Sequence, residues 1–161
     1  MKTLSPEIDP LALEHQVCFA LAVTNRAVLA VYRPLLEPLG LTHPQYLVML
    51  ALWDHRKSDS GAAALSVKQI AVALQLDSAT LSPMLKRLEA LGLITRSRSA
   101  VDERATDVEL TAEGEALRTR ALDIPPAVVA RLGVDLTELE ELRRVLTRVN
   151  AAALAAGALD A

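Results

Sequence analysis

The segment that decides the fold is residues 66–92, SVKQIAVALQLDSATLSPMLKRLEALG. Ser66 is placed to cap a short helix carrying Val67, Ile70, Ala71 and Leu74. Gln75-Leu76-Asp77 then makes a tight turn. Asp77 caps a second helix, Ser78 to Leu91, with Leu81, Leu85 and Leu88 as its buried stripe, and Gly92 closes it as a C-cap. Pro83 lies deeper in that helix than proline prefers; it removes one intrahelical hydrogen bond and is expected to bend or weaken the helix. Two short helices joined by a three-residue turn are a helix-turn-helix.

Downstream, Leu93-Ile94-Thr95-Arg96-Ser97-Arg98 and Thr106 to Leu110 are rich in alternating and β-branched residues, with the polar linker AVDERA between them. They read as a hairpin with a long loop. A hairpin directly after a helix-turn-helix is a wing. Thr111 caps a further helix, Ala112 to about Leu122, which Asp123-Ile124-Pro125-Pro126 is expected to break. A last helix is expected from near Asp135 or Thr137, because Asp135 with Glu138 and Thr137 with Glu140 both fit a capping box. Its stripe is Leu136, Leu139, Leu142, Leu146, Val149 and Ala153.

Upstream, Thr42 caps a helix with Pro44 in its first turn and Tyr46, Leu47, Leu50 and Trp53 following. Residues 56–64 read as a loop. Before that, Asp9-Pro10 opens a long helical pattern through Leu13, Val17, Val28 and Tyr32, which Pro34 and Pro38 are expected to end. The expected fold is mainly α with a small β-hairpin wing. It is a single domain over 1–161, with a winged helix-turn-helix at 42–111 and dimerisation helices at 10–33 and 112–155. A winged lobe of this size cannot bury both long apolar helices, whereas a second copy would cover them and set two recognition helices on one duplex face.

Composition agrees. The 161 residues are 52% hydrophobic but only 2% aromatic, so Leu, Val and Ala must build the core, which favours helix over sheet. The net charge of −3 excludes a uniformly basic coat but not a basic patch. From Met84 to Arg104 the bases Lys86, Arg87, Arg96, Arg98 and Arg104 outnumber the acids Glu89, Asp102 and Glu103, so this stretch is basic on an acidic chain. That is the asymmetry a DNA face needs. Ser78, Thr80 and Ser82 at the start of the second helix are placed to reach base edges or phosphates. Arg96 and Arg98 are expected to meet phosphates, and Arg104, steadied by Asp102, to enter or line the minor groove. Taken singly, each of these is an ordinary solvated charge or cap. Taken with helix, turn, helix and hairpin in order, they point to a pseudo-palindromic double-stranded operator.

One cysteine, Cys18, excludes an intrachain disulfide and a Cys-rich zinc site, and no cofactor or metal is expected. The setting is expected to be reducing, and the chain to be soluble and cytoplasmic, with no signal peptide and no stretch apolar enough for a membrane span. Cys18 itself reads either as a small buried hydrophobe or as a reactive thiol; neighbouring His15 and Arg26 do not decide between them.

The order of elements resembles the winged-helix regulators of the multiple-antibiotic-resistance (MarR) type, over about Leu13 to Val149. Asp102-Glu103-Arg104 and Leu110-Thr111-Ala112-Glu113-Gly114 carry that likeness. Val17-Cys18-Phe19-Ala20-Leu21, Tyr32-Arg33-Pro34-Leu35-Leu36, Pro44-Gln45-Tyr46-Leu47-Val48, the run Asp77 to Arg87 and Asp123-Ile124-Pro125 are similar to the organic-hydroperoxide-sensing branch. The resemblance implies that Cys18 is the peroxide-reactive thiolate, that Tyr32 hydrogen-bonds it across a homodimer, and that the chain is of the one-cysteine type. The sulfenic acid would then be capped by a small external thiol, form a sulfenamide or oxidise further. Two positions depart from the branch pattern, where tyrosine is usual: Ala22 and His43. His43 is expected to support the thiolate in place of a tyrosine.

The leading expectation is a repressor that releases DNA on Cys18 oxidation. The alternatives are a repressor released by an aromatic or phenolic ligand with Cys18 inert, a thiol peroxidase, and an interaction module. A peroxidase lacks a second cysteine here, and an interaction module leaves the basic wing unexplained.

Overall fold

The computed structural model describes residues 9–58 and 64–159. They divide into two compact units, one ending at Ile124 and one beginning at Pro125. The first holds the helix-turn-helix and wing. Its helices are α1 (Val17–Leu36), α2 (His43–Lys57), α3 (Val67–Leu74), α4 (Ser78–Ala90) and α5 (Ala112–Ala121). Its strands are β1 (Leu65–Ser66), β2 (Ile94–Arg98) and β3 (Thr106–Leu110). The second unit takes in most of α6 (Ile124–Leu132) and all of α7 (Leu136–Ala155).

Local chemistry sets most boundaries. Thr42 and Ser66 both form full capping boxes, with Gln45 and Gln69 reaching back to the cap amides. Asp77 and Thr111 cap α4 and α5. Gly92 takes φ +75° just past α4, the left-handed turn that a Cβ would resist. The core lies where α2, α3, α4 and the sheet meet. Val48, Met49, Ile70, Leu81, Leu85, Leu88, Ile94 and Val108 are all buried there. Trp53 closes one side, its indole N–H donating to the Gly114 carbonyl at 2.9 Å.

Several expectations need correction. The first helix does not begin at Asp9-Pro10. A 3-10 turn, Leu13–His15, comes first, and an extended Gln16 caps α1 while its side-chain amide donates to the Pro10 and Ala12 carbonyls. Cys18 is therefore the second residue of α1. Nor does Pro34 end that helix. It lies in the last turn, where one missing N–H is tolerated, and Gly40 at φ +71° ends the following 3-10 turn. Arg56 and Lys57 belong to α2, not to the expected loop, and residues 59–63 of that loop lie outside the described residues.

β1 was not legible. It is two residues long and exists because Leu65 pairs with Val108 on β3, giving an antiparallel sheet in the order β1-β3-β2. α6 was also missed. Pro125 and Pro126 occupy its first turn, where a proline's absent N–H leaves no bond unmade, so they start a helix as readily as they stop one. Asp135 caps α7 through the Thr137 amide at 3.3 Å, without the expected reciprocal glutamate. Finally, Val17–Leu39 is long and apolar enough to cross a membrane by length and composition, against the expectation that no stretch is; its most apolar window has a mean hydropathy of 1.2.

Candidate nucleic-acid interface

α4 owes its orientation to its buried stripe. With Leu81, Leu85 and Leu88 in the core, the 3.6-residue period places every other side chain. Ser78, Ser82 and Glu89 fall on the flank beside the wing. Ala79, Pro83 and Lys86 face outward, and Thr80 and Arg87 lie on the opposite flank; all eight are exposed except Glu89, which is half-buried. Pro83, expected to cost stability, sits on the exposed side and leaves the buried stripe unbroken. Asp77 accepts from the Thr80 amide at 2.6 Å, which holds its carboxyl below the usual range.

The wing is a five-residue ladder from Ile94↔Leu110 to Arg98↔Thr106. Its tip is built by short polar bonds. Ser99 Oγ accepts from the Val101 and Asp102 amides at 3.2 and 3.3 Å, and Asp102 Oδ1 accepts from the Arg104 amide at 3.0 Å. Asp102 thus shapes the backbone under Arg104; no bond to the Arg104 guanidinium is present among the described residues. Arg98 and Arg104 are exposed.

Between α3, α4 and the wing lies a groove of about 500 Å³, lined in part by Ser78, Ser82, Lys68, Arg96 and Arg104. Lys68 was not anticipated: it stands in the first turn of α3, and its proximity to Arg104 comes from β1 pairing with β3. Arg96 differs from expectation. Its guanidinium forms a two-pronged pair with Glu89, at 3.1 Å to Oε1 and 3.3 Å to Oε2, and its backbone amide also donates to Oε2 at 3.1 Å. These bonds hold the Glu89 carboxyl below the usual carboxylate range.

Cys18 stands apart from this surface. It is exposed, in the first turn of α1. Tyr32 and His43 lie side by side, their rings 4.9 Å apart edge to face, with Tyr46 6.0 Å from Tyr32. Partial burial pushes the Tyr32 hydroxyl up and the His43 imidazole down, so near neutral pH the first keeps its proton and the second is uncharged. Cys18 and Tyr32 lie on one helix 14 positions apart, or ~21 Å along its axis, so the two meet only if the tyrosine comes from another copy.

Comparison with known proteins gives one consistent picture. Residues 30–120 match the family model described as transcriptional regulator SarA/Rot. The organic hydroperoxide resistance transcriptional regulator of Bacillus subtilis (strain 168) is 43% identical over 137 residues, covering 83% of this chain and 88% of the relative. The regulator MgrA of Staphylococcus aureus is 35% identical over 142 residues, covering 88% and 92%. Among solved structures, reduced AbfR bound to DNA, from a protein of Staphylococcus epidermidis, aligns with a TM-score of 0.71 and 31% identity over 87% of this chain and 91% of that one.

Proposed function

Because the chain belongs to the winged-helix transcriptional regulators of the MarR and SarA type, we propose that it is a homodimeric repressor that releases its operator when an organic hydroperoxide oxidises Cys18. It acts in the cytoplasm, where the DNA is. α4 enters the major groove, with Ser78, Thr80, Ser82, Lys86 and Arg87 against bases and phosphates, and the wing brings Arg98 to phosphate and Arg104 to the minor groove. Lys68, on the groove between them, adds a phosphate contact.

The observation that carries the redox half is the layout of α1. It leaves Cys18 exposed at one end and presents the Tyr32–His43 pair at the other. An apolar helix with a single buried residue, Leu36, is suited to lie against a second copy, which brings one copy's Cys18 to the other's Tyr32 and His43. The first-turn amides of α1 have no helical carbonyl partners and favour negative charge beside them. Tyr32 donates its hydroxyl hydrogen to the sulfur, and neutral His43 donates a ring N–H. The thiolate then attacks the terminal peroxide oxygen. An S–O bond forms, the O–O bond breaks, and the alkoxide leaves and takes a proton to become an alcohol. The sulfenic acid has lost the charge that held Tyr32 and has gained an oxygen in a tight interface, so the helices shift and the two recognition helices lose register with the operator. A small cellular thiol can then condense with it to a mixed disulfide and water.

The test is a gel shift on the upstream DNA of the chain's own gene, with and without an organic hydroperoxide. Wild type should bind and then release on oxidation, and Cys18→Ser should bind and stay bound. Release of Cys18→Ser by peroxide would remove the cysteine from the mechanism, and release by a phenolic ligand alone would favour the ligand-sensing alternative.

A further inference from the structure

We infer that Glu89 is a positioning residue that locks the wing to the recognition helix, and that Arg96 is its clamp and not a phosphate contact. This rests on the reading of α4 and the wing as the DNA-binding elements.

The argument begins with where the bonds go. Glu89 lies near the C-terminal end of α4 and receives three hydrogen bonds from one residue of β2: two from the Arg96 guanidinium and one from its backbone amide. The other contacts at this junction are the apolar packing of buried Leu88 and Ile94, which is non-directional, and the backbone bonds of the turn itself, Gly92 N–H to the Glu89 carbonyl at 3.0 Å and Leu93 N–H to the Leu88 carbonyl at 3.1 Å. Apolar packing tolerates sliding; a forked guanidinium on a carboxylate does not. The Glu89–Arg96 pair is therefore a directional side-chain joint that ties the strand to the helix beyond the turn between them.

The position of this joint gives it leverage. From Glu89 back to Ser78, α4 runs ~16 Å. The strand carries the wing tip ~10 Å beyond Arg96 before the loop turns at Ser99. A swing of ~10° at the joint displaces the tip by ~2 Å, more than a hydrogen bond tolerates. Arg104 then cannot sit in a minor groove while Ser78 and Lys86 hold the adjacent major groove. Fixing the joint in the free protein removes that ordering cost from binding.

Charge points the same way. The paired Arg96 and Glu89 are together neutral, and two of the guanidinium's nitrogens already face the carboxylate. Lys68 and Arg104 line the same groove and carry no ion pair among the described residues, so they are the cations free for phosphate.

The experiment measures full-length protein on operator and on random DNA across a salt series, with hydroxyl-radical footprints and melting curves. Glu89→Gln should weaken operator binding roughly tenfold. Random-DNA affinity should not fall, because the change removes a negative charge beside the groove, and protection at the wing's minor groove should fade before that at α4's major groove. Arg96→Lys keeps the charge but loses the fork, and should behave like Glu89→Gln. The exchange Glu89→Arg with Arg96→Glu restores the side-chain pair and should recover most of the operator affinity. The inference is overturned if Arg96→Lys binds like wild type, if the exchange fails to recover binding, or if Arg96→Gln lowers the salt slope by about one unit, the mark of a lost phosphate contact. Should Glu89→Gln melt far below wild type, the Arg96→Lys result and the exchange decide. If wild type binds no operator at all, it is the DNA-binding reading that fails.

Discussion

Gly114 shows how much rests on single residues here. A Cβ at this position would run into the Leu93 carbonyl oxygen and crowd Leu110. The same residue supplies the carbonyl for Trp53 Nε1 and the amide that Thr111 Oγ1 caps at 3.0 Å. Thr111 in turn donates to the Gly92 carbonyl at 2.6 Å, so the base of the wing, α5 and Trp53 meet at one point. Gly114→Ala should therefore cost about 1–3 kcal/mol or more through overpacking. Urea unfolding followed by Trp53 fluorescence measures it, and a variant as stable as wild type would contradict the close approach. The motif containing Gly114 is plain in the sequence. Its reason is not, because the clashing atom lies 21 positions away in the chain.

At the scale of elements, the caps make acid sensitivity predictable. The Asp77 carboxyl sits below its ordinary value chiefly because it accepts from the Thr80 backbone amide. A carboxylate with a depressed folded value contributes stability that is fully present above the unfolded value and is lost as pH falls through the folded one. Asparagine caps nearly as well but does not titrate there. Asp77→Asn should therefore be close to wild type in stability at neutral pH and lose less than wild type on acidification below about pH 4. Melting curves from pH 7 to pH 2.5 check this; parallel losses in both proteins would remove Asp77 from the acid response. Thr42 offers a control without charge. Thr42→Ala removes a full capping box and should cost about 1 kcal/mol at every pH.

At the scale of the molecule, the exposed apolar surface is the dominant feature. Within α7, Leu142, Val145, Leu146 and Val149 are all more than a third exposed, and no residue of that helix is buried. α1 buries only Leu36. Scattered exposed leucines are ordinary, but a continuous stripe along a 20-residue helix is the surface that the proposed homodimer would cover. A second copy covering these helices would bury more than ~2,000 Å², as obligate dimers do. The apolar residues that α1 leaves uncovered are also why the segment from Val17 to Leu39 has the composition of a membrane span. Leu146→Asp should place a charge in that interface, give a monomer at micromolar concentration by sedimentation, and lose operator binding, because one half-site supplies too few contacts. A wild-type monomer at that concentration would rule out the dimer.

Several parts of this protein were determined by sequence alone. The turn at Gln75 to Asp77, the caps at Thr42, Ser66, Asp77 and Thr111, the stripe of Leu81, Leu85 and Leu88, and the two wing strands all follow from short-range rules. Side-chain oxygens cap nearby amides, and apolar residues repeat at the period of their own element. The basic stretch and Cys18 were equally legible, since residue type carries them. Tertiary structure alone decided the rest. β1 is too short to have a period and forms only because β3 offers it an edge. The helix before Asp123 to Pro126 ends at Ala121 as local rules require, but Pro125 and Pro126 also open α6, which those rules leave undecided. Arg96 looked like a free cation until Glu89, seven positions back on another element, was brought against it. Lys68 and Arg104 share a groove for the same reason. Each of these depends on which groups are neighbours in space, and local sequence constrains a residue's conformation far more tightly than it constrains what lies across from it.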